Sequence, residues 1–534
     1  MTVVLMPDTL RLIQSVLTVP RKIRTFRAPP LQHGSTVKTQ MTAKHVAALL
    51  ALTALTACGS TVATSSAGLS GDGLSPATQS AASGQSATTG DTALGTNGST
   101  NTPAGSAPAT TGSQSGTGRT TTVSTPLVTG PPGVVVKAKA PILLGLPYAD
   151  TADAGPILNA IGKGLAPGDQ KGMTDLLVAR LNAEGGILGH PVKIVPFKLD
   201  TSSQQSQYEQ AACTKFTQDN HVLAAIVASG GPNYLSCIAN HGSAVVGPEW
   251  ANLTSATYAK YKWVLQPDAI ALDRLARLEA EQYTAMGVFQ SKLPIKVGVL
   301  HFDNADFVSA SKVLESELAK RGVKVAMSES FHYVGDVNDI AQTQAQVQNA
   351  VLKFRSNGIT HVIGMETNAW LIGFFGVYAS QQGYYPRYAY NSDEVLTNVS
   401  ANVPAKALEG SRFFGWTPGQ DLVDVRLYPA KAQACIALMR KNGFTMDTGN
   451  QRSGALGTCE IMDFLKAAIT AGGEPVSRVS LFDGARALKG FASSGTFDVG
   501  FPGKRFDGVT SIRQGAWDTG CGCFAYTSGP IPIP

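Results

Sequence analysis

The sequence lacks the short motifs that mark common catalytic sites. Its eight histidines are scattered, and no His-Glu-x-x-His pair is present to bind zinc. There is no Gly-x-x-x-x-Gly-Lys-Ser/Thr loop to hold phosphates and no Gly-x-Ser-x-Gly turn to present a nucleophilic serine. The glycine-rich stretch at 164–172 has the wrong spacing for a phosphate loop. We therefore expect a chain that is not an enzyme, with no catalytic residues, no metal and no cofactor.

An excess of positive charge is also missing from most of the chain. The net charge is +6, and the first 57 residues account for all of it, with seven lysines and arginines against one aspartate. The remainder is neutral and has no overall field to attract a phosphate backbone. The sequence therefore predicts no nucleic-acid partner.

The N-terminal region contains no apolar run long enough to span a bilayer, which takes about 20 residues. The run 46–55 follows Lys44 and His45 and has the length of a signal-peptide core. Leu55-Thr56-Ala57-Cys58 then resembles a bacterial lipobox, which predicts a lipoprotein signal peptide at 41–57 and a lipidated Cys58. The alternative is a chance cysteine after a short buried helix. Met41 can itself serve as the start, so we expect residues 1–40 to be an extension upstream of the true one.

Residues 59–136 contain no aromatic residue and three charged ones. Such a Ser/Thr/Gly/Ala tract cannot bury enough apolar surface to balance its chain entropy. The sequence therefore predicts a disordered tether at 58–136 that holds a folded domain away from a membrane surface.

From residue 141 onward, short apolar runs alternate with helical patterns, as in α/β proteins with parallel sheets. One series of predicted strands comprises 142–146, 192–197, 223–228 and 244–247, and a second comprises 297–300, 323–327, 361–365 and 387–390. After residue 391 the pattern is mostly helical, with the clearest apolar stripe at 461–469. Two successive α/β units with a helical return predict a bilobal protein.

Several segments resemble one family in particular. The segment 172–203 contains LLVARLNAEGGILGHPVKIVPFKLDTSS, a helix ending in Asn-x-x-Gly-Gly-Ile-x-Gly followed by a strand ending in Asp. It resembles the branched-chain amino-acid (Leu/Ile/Val) binding proteins, which are type I periplasmic binding proteins. IKVGVLHFDNADF, GMETNAW, YNSDE and CGCFAYT follow in the order expected for that family. The resemblance covers about residues 137–534.

The resemblance implies two Rossmann-like lobes with parallel sheets, joined by a three-crossing hinge, with a small ligand held between them. It places lobe I at 137–266 and 393–504, and lobe II at 267–392 and 505–534. General physics also places ligands outside the carboxyl ends of parallel strands. Both arguments indicate the same loops.

In lobe I, the loop Ser229-Gly230-Gly231 follows a predicted strand and precedes a short helix. Glycines allow backbone N–H groups to approach a ligand, and a helix N-terminus favours a carboxylate. Trp250 ends the next strand and could stack against a ligand. The alternatives are an ordinary strand–helix turn and a core or surface aromatic.

In lobe II, Asp306 and Phe307 stand where the family usually has Tyr-Gly, so amino-acid specificity stays open. Glu366 and Asn368 lie in the second turn, and Ser392 and Asp393 lie at the hinge. Acidic groups there could bind a ligand ammonium through charge-assisted hydrogen bonds. The alternatives are helix capping for Asp306 and Asn368, and hinge or interlobe ion pairs for Glu366 and Asp393.

Six cysteines remain after Cys58: Cys213, Cys237, Cys435, Cys459, Cys521 and Cys523. An even number in an exported domain suggests disulfides, although six cysteines allow 15 connectivities. Pairing of sequence neighbours is the simplest prediction, with the members of the two wider pairs on consecutive helices. A redox or metal-binding dithiol is the alternative for Cys521 and Cys523, but no zinc-type ligand set surrounds them.

These features favour a lipid-anchored solute-binding protein on the extracytoplasmic face of the cell envelope. It would capture a small polar ligand (an amino acid, an amide or a short carboxylate) and deliver it to the permease subunits of an ABC importer. The alternative is a ligand sensor or envelope interaction protein that uses the same fold without transport. A hydrolase is a distant third.

Overall fold

Two β-sheets organise the described part of the chain, each built mainly from buried strands that alternate with helices. The computed structural model describes residues 139–534 except 167, 201–202, 227–230, 248–252 and 336–338. The predicted signal peptide, Cys58 and the tether lie outside the described residues. Within them, no helix combines the length and apolar character needed to cross a membrane.

The first sheet is parallel, with strand order β2-β1-β3-β4-β5. Its strands are β1 Ile142–Tyr148, β2 Val192–Lys198, β3 Ala224–Ile226, β4 Ala244–Val246 and β5 Val264–Leu265. The helices that follow them are α1 Thr151–Ile161, α2 Gln170–Ala183, α3 Gln205–Thr214, α4 Pro232–Asn240 and α5 Ser255–Lys260. A π-helical turn, Lys215–Asp219, extends α3.

The second sheet has eight strands in the order β12-β11-β10-β9-β8-β6-β7, with β13 paired to β11. The strands are β6 Val297–Phe302, β7 Val325–Phe331, β8 His361–Met365, β9 Arg387–Asn391, β10 Arg412–Gly415, β11 Ser511–Asp518, β12 Cys523–Tyr526 and β13 Ile531–Pro532. Strands β6 to β10 run parallel, and β11 is antiparallel to β10, β12 and β13.

The helices of the second half fall into two groups. Six belong with the second sheet: α6 Leu272–Ala285, α7 Ala305–Lys320, α8 Ile340–Ser356, α9 Ile372–Gln381, α10 Leu396–Asn402 and α11 Ala405–Leu408. The return segment contains α12 Pro418–Asp421, α13 Ala430–Lys441, α14 Gly449–Gly472 and α15 Arg478–Ala487. Both α14 and α15 pack on the first sheet.

Burial on both faces explains the continuous apolar character of the strands. Ile142, Leu144 and Leu146 of β1 pack on the side of α14 and α15. Helices α3 and α4 cover the opposite face. There a side-chain carbon at Gly145 would lie 2.8 Å from the ring of Phe216, so only glycine lets this helix approach the strand so closely.

Three segments connect the lobes. The first leaves β5 at Gln266, the second leaves β10 after Gly415, and the third enters β11 near residue 510. The first and third run side by side, because Gly508 donates a hydrogen bond to the Gln266 carbonyl at 2.7 Å. Arg274 joins them through its ion pair with Asp507 and a 2.7 Å hydrogen bond to the Val509 carbonyl.

The second crossing follows Trp416, whereas the predicted lobe boundary placed it at residue 393. Leu396, Val399 and Phe413 pack in the core of the second sheet. The physical reason is strand pairing: β10 pairs in parallel with β9, and a parallel pair requires the chain between them to cross over the same sheet.

Candidate functional site

The carboxyl ends of the parallel strands meet where the two lobes face each other. Helix α7 of lobe II begins three residues after the end of β6, and helix α5 of lobe I lies between β4 and β5. Their first turns are hydrogen-bonded to each other across the gap, through Thr254, Thr257 and Asp306. We call this gap the interlobe cleft.

Asp306 makes the direct link across the cleft. Its Oδ1 atom accepts hydrogen bonds from the Thr254 backbone N–H at 3.1 Å and from the Thr257 hydroxyl at 2.7 Å. The Thr254 hydroxyl donates to the same oxygen. Because Thr254 is the N-cap of α5, a carboxylate of one lobe satisfies the helix start of the other.

A second contact joins the lobes beside the first. A side-chain carbon at Gly335, in the loop after β7, would overlap the carboxamide of Gln205 at the start of α3. The two lobes are therefore in van der Waals contact at this point.

Glu209 forms the acidic floor of the cleft on the lobe I side. Its side chain is only 2% exposed, and its Oε1 accepts a hydrogen bond from Gln205 at 2.8 Å. Gly231 packs directly against this carboxylate, where a larger residue would overlap it. On the lobe II side, burial together with the negative charge of Glu209 raises the pKa of Tyr333 to about 12.

The predicted loop Ser229-Gly230-Gly231 is described only at its last residue. Gly231 is the N-cap of α4, with Pro232 in the first turn. Ser229, Gly230 and Trp250 lie outside the described residues, so their part in the cleft stays a prediction.

Two of the lobe II residues that were predicted to bind a ligand make contacts within lobe II itself. Phe307 is 1% exposed and packs edge-to-face on Phe302 in the core. Glu366 is also buried, and its two oxygens accept hydrogen bonds from Leu371 and Ile372 at the start of α9. Burial raises the pKa of Glu366 to about 8, against the lowering effect of these hydrogen bonds.

Asn368, Ser392 and Asp393 lie near each other where β8 and β9 end. The Asn368 N–H donates to the Asp393 carbonyl at 2.7 Å, and Asn368 adopts a left-handed backbone conformation with φ of 62°. The Ser392 hydroxyl donates to Asp421 at 2.9 Å and accepts from the Trp416 N–H at 2.8 Å. Ser392 thus organises the second crossing.

Asp421 completes this hinge network. It also accepts a hydrogen bond from the Tyr526 hydroxyl, which ties the return segment to β12. Burial raises the pKa of Asp421 to about 7, although its hydrogen-bond donors act in the opposite direction. The network joins lobe II strands to the start of the lobe I return.

Sequence reasoning missed Gln205, Glu209, Thr254 and Thr257. Glu209 falls between two apolar positions of α3, Tyr208 and Ala212. That position in the pattern is compatible with an exposed carboxylate as well as with a buried one. The sequence holds one signal for Thr254, because threonine before a short helix is a common N-cap. The sequence holds no signal that the partner of Thr254 is Asp306 in the other lobe.

The six cysteines form three close pairs. In the structure the sulfur atoms lie at bonding distance in Cys213–Cys237, Cys435–Cys459 and Cys521–Cys523. The first pair joins α3 to α4, and the second joins α13 to α14. These links would fasten helices of lobe I and its return segment.

Peptide mapping without reduction should recover these three disulfides from protein isolated from the cell envelope. Enzymatic digestion followed by mass spectrometry, with and without a reductant, measures each pair separately. Free thiols at Cys213 and Cys237, or mixed pairs between the two wider loops, would contradict the pairing.

No protein-family model matches the chain, and no curated protein matches it in sequence. Solved structures do match. A solute-binding protein of an ABC transporter from R. palustris, in complex with 4-hydroxybenzoate, aligns with a TM-score of 0.55 and 12% identity over 74% of this chain and 97% of the other.

Two further matches are branched-chain amino-acid transporter proteins. One from Thermus thermophilus with bound valine aligns with a TM-score of 0.52 and 13% identity over 74% of this chain and 97% of the other. One from Streptococcus pneumoniae in complex with isoleucine aligns with a TM-score of 0.51 and 15% identity over 74% of this chain and 99% of the other. These structures are of solute-binding proteins rather than enzymes, and their likeness confirms the predicted type I periplasmic binding fold.

Proposed function

We propose that the chain is an extracytoplasmic solute-binding lipoprotein of an ABC importer, which captures a small polar organic ligand between its two lobes. The observation that carries the proposal is the interlobe cleft, where the carboxyl ends of parallel strands from two sheets face each other and Asp306 bridges the lobes. In such a fold a ligand gains contacts from both lobes only when the cleft is closed. Closure and binding are then one equilibrium.

The ligand class follows from the chemistry of the cleft. The sequence-based prediction that the loop 229–231 binds a ligand through its backbone N–H groups favours a carboxylate or an amide oxygen. The buried carboxylate of Glu209 gives the cleft a negative charge, which suits an ammonium or amide N–H group. The three solved structures described above hold valine, isoleucine and 4-hydroxybenzoate. We therefore propose an amino acid, an amide or a short carboxylate.

A thermal-shift screen of the full chain against amino acids, amides and organic acids tests the proposal. A ligand that binds only the folded state stabilises it by about 2.7 kcal/mol at 100 times its Kd. At least one compound should raise the Tm in a saturable way and bind in calorimetry. If none of these classes binds, the transport proposal fails while the fold stands.

The proposed anchor makes a separate prediction. The mature protein should begin at a diacylated Cys58 and partition into the detergent phase, because a signal peptide of this type ends at the lipidated cysteine. Cys58→Ala should leave it unprocessed or release it in aqueous form. Mass spectrometry of the N-terminal peptide decides the matter, and an unmodified N-terminus upstream of Met41 would contradict the anchor.

A further inference from the structure

A second concave surface lies beside the cleft, between helix α9 and the segment that follows α1. Its volume is about 280 Å³, close to the lower end of small-molecule pockets at roughly 300 Å³. We call it the aromatic groove, and its main lining residues are Gln344, Asn368, Trp370, Phe374, Tyr378 and Leu165. Only Asn368 was predicted as a ligand residue.

One wall of the groove is a row of three aromatic rings. Trp370, Phe374 and Tyr378 are spaced four residues apart, so they lie on one face of α9 and its preceding turn. The ring centroids of Trp370 and Phe374 are 5.7 Å apart, and those of Phe374 and Tyr378 are 6.4 Å apart. Their planes differ by 39° and 31°, so the three rings form a nearly continuous apolar wall.

The opposite wall is held in place by hydrogen bonds to helix α10 of lobe II and to helix α14 of the return segment. The Asn402 side chain of α10 accepts from the Lys163 N–H at 2.8 Å and donates to the Lys163 carbonyl at 3.2 Å. Asn450 donates to the Leu165 carbonyl at 2.8 Å. The segment after α1 is therefore tied down on both sides, and the groove is a formed feature rather than a gap between loops.

The polar groups of the groove are uncharged. No lysine, arginine, aspartate or glutamate lines it among the described residues. The side chains of Gln344 and Asn368, the Trp370 indole N–H and the Tyr378 hydroxyl make no hydrogen bond to the described part of the chain. Carboxamides both donate and accept, so they suit hydroxyl groups, whereas an ionised ligand would meet no opposite charge to offset its burial.

We propose that the aromatic groove binds an uncharged ring-shaped polyol, such as a neutral pyranose sugar. The apolar face of the ring stacks on Trp370 and Phe374, since aromatic faces are negative and attract the positive edge of C–H groups. The hydroxyls on the ring edge exchange hydrogen bonds with Gln344 and Asn368. The groove lies between the same two lobes, but none of Asp306, Thr254 and Thr257 lines it, and the proposal does not depend on the transport function.

Calorimetry of the full chain with methyl β-D-glucopyranoside tests the groove. Saturable binding is expected, and Trp370→Ala and Phe374→Ala should each weaken it by about tenfold. Gln344→Ala should weaken it by about two- to tenfold through the loss of a hydrogen bond. Circular dichroism checks the fold, and Gln344, a half-buried residue on α8, offers a variant that does not disturb the core.

Two controls make the test specific. Tyr385 is an aromatic residue that is 42% exposed and lies outside the groove, so Tyr385→Ala should leave binding unchanged. Sorbitol carries similar hydroxyls without a ring and should not bind. The proposal is overturned if the glucoside does not bind, if sorbitol binds equally well, or if folded Trp370→Ala and Gln344→Ala variants bind it like the parent.

Discussion

Replacing Asp306 by alanine should weaken binding of the cleft ligand by about 10- to 150-fold. One oxygen of the Asp306 carboxylate accepts hydrogen bonds from three donors of lobe I, and these bonds join the two lobes. Losing a charge-assisted hydrogen bond costs about 1.5–3 kcal/mol, which gives that range in the dissociation constant. The closed state becomes less favourable, and every ligand that requires it binds more weakly.

Calorimetry with the compound found by thermal shift measures the effect of Asp306→Ala. Asp306→Asn is the matched variant, because an amide oxygen can still accept from Thr254 and Thr257, and it should lose less affinity. Glu409→Ala, at an exposed position of lobe II, should bind like the parent. If Asp306→Ala folds and binds within about twofold of the parent, the interlobe bridge does not control closure.

Glu460→Gln should remove a pH-dependent loss of stability worth about 3 kcal/mol. Glu460 lies in α14 with 0% exposure, and it accepts hydrogen bonds from the hydroxyls of Ser493 and Thr496. Burial, together with the negative charge of Asp463, raises the pKa of Glu460 from 4.5 to about 7, more than these hydrogen bonds lower it. Gly495 packs against the same carboxyl group, where a larger residue would overlap it.

The direction of this pH dependence follows from the number of protons that the folded and unfolded states bind. Between pH 4.5 and about pH 7 the folded protein holds a proton on Glu460 that the unfolded chain has released. This contribution is complete below pH 4.5, decreases as the pH rises, and is lost above pH 7. A shift of one pKa unit corresponds to about 1.4 kcal/mol, so the window accounts for about 3 kcal/mol.

Urea unfolding at pH 5 and pH 8 measures this effect. The free energy of unfolding of Glu460→Gln relative to the parent should rise by about 2–3 kcal/mol between pH 5 and pH 8. The comparison with the parent matters, because burial also raises the pKa values of Glu366 and Asp421. Glu409→Gln should show the parent's pH dependence, and an equal pH dependence for Glu460→Gln would contradict the prediction.

Most of the fold could be predicted because its signals are local. The apolar runs at 142–146 and 361–365 correspond to β1 and β8, and the stripe at 461–469 lies in α14. Other elements gave weaker signals. Strand β7 starts two residues after its predicted beginning, and α9 starts at Ile372 because Asn368 and Ala369 adopt left-handed conformations.

Elements that were missed have short or atypical patterns. Strand β5 has only two residues, and β10 has four, which is too short for periodicity to separate a strand from a loop. The hairpin of β11 and β12 follows no alternation of strand and helix, since it adds antiparallel strands at the edge of a parallel sheet.

The sequence by itself determined the class of the fold, the two α/β units and the loops in which a ligand site could form, because strand and helix periods and turn residues act over a few positions. Only the tertiary structure decided the partners of those loops. Asp306 meets Thr254 from 52 residues away, Phe307 one position further on lies in the core, and Trp370 faces a segment from the other lobe. Such contacts depend on how two lobes pack, and the free energy of that packing is spread over many residues rather than encoded in any one of them.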